Sequence, residues 1–155
     1  MSTNILDGYN YVKVTPGAFT GGTNGTRGDK DSTGGTAFPL FYTTGTVKVI
    51  VWGECTKTLV GAGTLEVGIT GNTALILPQV ADATTIATGD TWVDATVAEV
   101  GGFVATSLPA ATYLWGDRTI QETAGTADIT AGGLNYSCLW IPLSPGATVV
   151  GAVAN

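Results

Sequence analysis

Side chains able to do covalent or acid–base chemistry are few in this sequence. It contains no histidine. That removes the usual general base near neutral pH, the Ser-His-Asp and Cys-His arrangements, and histidine-based zinc sites. Two cysteines, Cys55 and Cys138, cannot by themselves close a structural zinc site. Two pairs of carboxylates are close in sequence, Asp90 with Asp94 and Asp117 with Glu122. A glycosidase sets such a pair across a cleft, but twelve acidic residues supply close pairs by accident in any β fold. Asp29-Lys30-Asp31 falls far short of the ligand set of a calcium loop. Gly21-Gly22 and Gly101-Gly102 are not followed by helix openings, so they read as turns rather than phosphate cradles. The expectation is a chain with no catalytic residues, no metal and no cofactor.

Residues that could bind rather than react are more numerous. Arg27-Gly28-Asp29 is the tripeptide that integrins read, set in the run Gly21 to Thr36, which has no large apolar side chain. Such a run contributes no apolar burial and is expected not to fold alone; the tripeptide is read as a chance occurrence. Trp52, Trp92, Trp115 and Trp140 could stack on sugars, but at strand positions they read as core or interface residues. Asn24-Gly25-Thr26 and Asn135-Tyr136-Ser137 match the glycosylation sequon and are read as chance.

The elements that must position these groups are strands. Charged residues make up 12% of the chain, about half the ~25% usual for soluble proteins, and mean hydropathy is +0.29. No apolar run approaches the roughly 18–20 residues that cross a bilayer. The apolar excess must therefore lie in a core, in an interface, or in both. The formal charge is −6 and the six basic residues are scattered, which argues against nucleic acid and against an anionic membrane surface. The beginning MSTNILDGYNY has no charged stretch followed by an apolar one, so no signal peptide is expected. Both cysteines are then expected reduced, free and buried.

Period-two alternation recurs along the chain. TVKVIVWGECTK places Val47, Val49, Val51 and Cys55 on one face and Ile50 and Trp52 on the other, so this strand is expected to be covered on both sides. TLEVGIT and TALILPQ read as a hairpin across Gly71-Asn72. ATTIATGDTWVDATV repeats the pattern with a bend at Thr88-Gly89. GTADITAGGLNYSCLWIPLSP reads as a further hairpin across Gly132-Gly133. Its second strand carries Tyr136, Cys138 and Trp140 on one face and Leu139 and Ile141 on the other. ATVVGAVAN suits a last strand, and Val93 to Val100 is the best, though weak, helix candidate. Turn signals every 8–12 residues or so point to an all-β single-domain sandwich, jelly-roll-like, or a barrel of short antiparallel strands. Residues 1–37 read as an N-terminal arm and flexible Gly/Thr-rich loop, and 38–155 as the β domain.

VKVIVWGECTKTL, GAGTLEVGITGNTALILPQ, GDTWVDAT and GTADITAGGLNYSCLWIPLSPGATVV together cover most of Thr46 to Val150. As a set they resemble small β-rich virion proteins of tailed phages, of the capsid decoration (cement) type. The resemblance implies a structural component of the outer capsid surface, made in the host cytoplasm, that stabilises the shell by bridging subunits of the major capsid protein. It implies a homotrimer, no enzymatic activity and no nucleic-acid or membrane partner. The first 40 residues match least. Ile5, Leu6, Tyr9 and Tyr11, grouped ahead of the polar loop, are the candidates for capsid contact. The competing expectations are a tail-spike or fibre module that binds glycans through Trp and Asp, and a tail or neck structural protein.

Overall fold

The computed structural model describes residues 8–30, 37–94 and 109–152. These form ten strands: β1 (Asn10–Val14), β2 (Phe38–Thr44), β3 (Val47–Val60), β4 (Thr64–Ile69), β5 (Asn72–Val80), β6 (Thr91–Trp92), β7 (Thr112–Leu114), β8 (Arg118–Gly125), β9 (Ala131–Pro142) and β10 (Thr148–Gly151). The one helical element among the described residues is a 3-10 turn at Ala83–Thr85, capped by Asp82, whose carboxylate accepts from the Thr84 amide. Every pairing is antiparallel. The first sheet runs β1-β9-β3-β6, with β7 on the same edge of β3 as β6, and the second runs β10-β2-β8-β4-β5. Neither sheet closes on itself, so the expected alternatives resolve to a β-sandwich and not a barrel.

One core lies between the inner faces. In β3 burial follows the alternation in the sequence: Val47, Val49, Val51 and Cys55 are buried. β9 supplies Leu134, Tyr136 and Cys138 to the same layer, while β2, β4 and β8 supply Phe41, Leu65, Val67 and Ile120 from the opposite sheet. Trp92 and Tyr136 meet edge-on with ring centroids 6.4 Å apart. Both rings close over Gly53, where a Cβ would lie 3.3 Å from Tyr136 and 3.4 Å from Trp92. Residue 53 must therefore be small for the largest core rings to pack.

The β4–β5 hairpin forms, its turn at Thr70-Gly71 one residue before the expected Gly71-Asn72 and Ile69 opposite Asn72, and the tail supplies β10. Three readings change. Gly132-Gly133 is no turn; both lie inside β9, which pairs with β3 on one side and β1 on the other. The register between β3 and β9 shifts on either side of Lys57. Gly132 has φ +111°, and a Cβ there would lie 2.7 Å from the Leu59 Cα. The glycines thus serve a bulge with close backbone approach. Thr88-Gly89 does form the expected bend, closed by the Asp90 amide on the Ala87 carbonyl, but it joins no hairpin, because Trp92 pairs with Gly53 of β3 instead. Finally, β3 is not covered on its second face by any described strand, since Ile50 and Trp52 are half-exposed. Most of the helix candidate, 95–100, lies outside the described residues.

Candidate functional site: the outer face of the first sheet

Register fixes which side chains share the uncovered face. Tyr11 stands opposite Leu139, and Leu139 opposite Ile50, across β1, β9 and β3. The next row is Lys13, Ser137 and Trp52. On the other side of the first row, Ile141 stands opposite Lys48, and Lys48 opposite Tyr113 of β7. An aliphatic centre of Ile50, Leu139 and Ile141 is thus bordered by Tyr11, Trp52 and Tyr113. The border continues past the strand ends. Trp115, just after β7, is 70% exposed and Leu143, just after β9, 48%. Alternation from Tyr113 and Ile141 puts both on the outer side.

Charge on this face is arranged as well. Lys13 bonds Glu54, which also accepts from the Trp52 indole N–H at 3.2 Å. The Lys13 hydrogen bond is the main reason the Glu54 carboxyl lies below its ordinary range, and the same bond raises Lys13. Lys48 is handled differently. Its ammonium lies 5.7 Å from the Tyr9 ring centroid and 5.8 Å from that of Tyr113, within cation–π range. Interaction with the Tyr9 hydroxyl, then with Tyr113, raises its pKa, so it is a cation across the physiological range.

The outer face of the second sheet has another composition. Thr119, Gln121, Thr123 and Glu66 occupy its central strands, and Glu66 accepts from the Gln79 side chain at 2.8 Å. The exposed large apolar side chains of this sheet lie toward its edges, Tyr42 paired with Val150 at one side and Leu75 of β5 at the other. Alternating strands with one solvated face usually look like this.

The integrin-like tripeptide is no surface ligand. Arg27 is 5% exposed and Asp29 6%. The Arg27 guanidinium reaches between the sheets and grips Glu122 with two bonds, Nε to Oε1 at 2.9 Å and Nη2 to Oε2 at 2.7 Å. It also donates to the carbonyls of Gly17 and Leu134, and lies over the rings of Phe19 at 4.0 Å and Phe38 at 5.4 Å. Tyr136 donates to Glu122 at 2.5 Å; burial first, then the Glu122 charge, raises the Tyr136 pKa well above its ordinary value. The loop backbone follows its side chain inward. Phe19 donates to Gly132, Gly21 to Ile129, and Ile129 to Gly28. Residues 21–30, expected to be flexible, are therefore held against the sandwich. The reason is an internal counter-charge rather than apolar burial.

Of the residues singled out from the sequence for contact, Ile5 and Leu6 lie outside the described residues. Tyr9 and Tyr11 come together with Lys48 and Leu139 on the outer face, and β1 is hydrogen-bonded into the sheet rather than standing off as an arm. Lys48, Tyr113, Ile141 and Leu143 were not anticipated as contact residues, while Trp115 was anticipated only as a core or interface residue; the alternation of apolar side chains on both faces of β9 was the signal for Ile141. The carboxylate pairs make no common site: Glu122 is buried in the ion pair while Asp117 is at the surface, accepting from the Gly45 amide, and Asp90 is buried, accepting from the Ala87 amide. Both cysteines are free and buried. Burial raises the Cys55 thiol and pushes Cys138 up to about 12. Among the described residues no three His, Cys, Asp or Glu side chains gather to hold a metal, and no helix is long and apolar enough to cross a membrane.

No protein-family model, curated protein or solved structure matches the chain.

Proposed function

We propose that the chain is a structural virion protein of a tailed phage that decorates the outer capsid surface and stabilises the shell by bridging subunits of the major capsid protein. The observation that carries this reading is the outer face of the first sheet. A sandwich that works alone has little use for Tyr11, Ile50, Trp52, Tyr113, Leu139 and Ile141 on a face no described strand covers, and contiguous exposed apolar surface marks an interaction site. An aliphatic centre with aromatic neighbours and a charged rim has the anatomy of a protein interface. The sequence resemblance supports the particular setting. In it, copies of the chain associate as a homotrimer, and the segment before Gly8, with Ile5 and Leu6, reaches the capsid. Mass-spectrometric counting of the chain in purified particles tests the reading. A copy number on the scale of the capsid subunits supports decoration; a ring's worth of copies points to tail or neck, and absence from the particle overturns it.

A glycan-binding module is the second reading. Tyr113 and Trp115 favour it as adjacent exposed rings. Binding to a glycan array that is lost in Trp115→Ala would replace the decoration reading.

A further inference from the structure

The outer face of the first sheet is positive in a negative chain. By register it carries Lys13, Lys48 and Lys57 against the single carboxylate Glu54, although the whole chain has six basic and twelve acidic residues. The balance elsewhere is the reverse. Of the remaining basic groups, Arg27 is buried in its ion pair, which leaves Lys30 and Arg118 on the described surface. Glu66, Asp82, Asp117 and Asp128 are all at least partly accessible there. Lys48 in particular rests on two phenol rings.

We infer that the outer face of the first sheet is the surface through which one copy of this chain docks onto a carboxylate-bearing part of a second copy outside that face, in a head-to-tail contact with Lys48 as its charged anchor. Charge decides the mode. Two such faces laid on each other would oppose three lysines with three lysines and offer only one carboxylate each, and like charges across an interface cost affinity. The same face against the rest of the molecule is complementary, with the aliphatic centre supplying burial and the lysines setting orientation. A contact between two different patches repeats from copy to copy and closes into a ring when its rotation permits. This names the surface behind the self-association in the reading above. Its test uses the purified chain, so the failure of one is distinguishable from the failure of the other.

The experiment is sedimentation equilibrium on the full chain at micromolar concentration, joined to zero-length carbodiimide cross-linking. An associated species is expected, weakening as salt is raised because the contact is partly electrostatic. Cross-linked multimers should join Lys48 to Glu66, Asp82, Asp117 or Asp128. Lys48→Glu should weaken association by about tenfold or more, and Lys48→Arg should retain it; Lys48 is at the surface, so both variants keep the fold. A monomer throughout the micromolar range overturns the inference. So does an unaltered association constant in Lys48→Glu, or multimers joined only between Lys48 and Glu54, which would mark two like faces in contact.

Discussion

Two regions of this molecule pair a basic side chain with a glutamate, and they do different work. Arg27 and Glu122 meet inside the sandwich, with side-chain exposures of 3% and 2%; Lys13 and Glu54 meet on the outer face, at 37% and 39%. The inner pair is planar and two-pronged, two further donors of the guanidinium go to backbone carbonyls, and Tyr136 shares the carboxylate. The outer pair is a single ammonium on a single carboxylate oxygen in water. Desolvation makes the first a fixed joint between the 21–30 loop and both sheets, because neither charge has an alternative partner. Solvation makes the second exchangeable, so its groups can turn to another molecule.

The largest effect should come from breaking the inner pair. Glu122→Ala strands the Arg27 charge in the core, and removing one partner of a buried pair costs about 3–5 kcal/mol. Urea melting should show that loss, and protease sensitivity in 21–30 should rise with it. A loss below ~1 kcal/mol would mean that water reaches the guanidinium. Arg27→Lys keeps the charge but gives up the fork and the planar contact with Phe19. With charge-assisted bonds worth about 1.5–3 kcal/mol each, a loss near 2 kcal/mol is expected. Full stability in this variant would reduce the joint to charge alone. Tyr136→Phe removes only the third bond to Glu122, leaving the carboxylate with Arg27, so about 1.5 kcal/mol, the low end for a bond to a charged group, should be lost, with the near-ultraviolet signal of Trp92 preserved.

Legibility followed distance in the sequence. The faces of β3 and β9 could be read because period-two alternation is local, and it placed Val47, Val49, Val51, Tyr136 and Cys138 correctly. Gly132-Gly133 misled because two glycines signal a turn and a bulge equally well. Only the approach of Leu59, set by pairing with a distant strand, separates the two. The Arg27 joint was invisible because Glu122 is 95 residues away, and a loop without large apolar side chains gives no sign that its arginine has an internal partner. The outer face was half legible. Tyr9 and Tyr11 stood out as a local group, but joining them to Lys48, Ile141 and Tyr113 needs a register that alternation does not supply.

The smallest effect belongs to the outer pair. Glu54→Gln removes a bond between groups more than a third exposed, and such pairs contribute about 0–1 kcal/mol after solvent screening. The pH dependence has a definite sign. The Glu54 pKa is lowered by Lys13, so its contribution is present above the unfolded carboxylate value, roughly 4.3, and is lost as pH falls through the lower folded value. The Lys13 pKa is raised by Glu54, so its contribution is present below the unfolded lysine value, about 10.4, and is lost as pH rises through the higher folded value. The difference in melting temperature between the parent chain and Glu54→Gln should therefore be a small plateau across neutral pH that vanishes at both extremes and shrinks with salt. A plateau as large as the Glu122→Ala effect would show that the outer pair is desolvated, and the distinction between a fixed inner joint and an exchangeable outer one would fall.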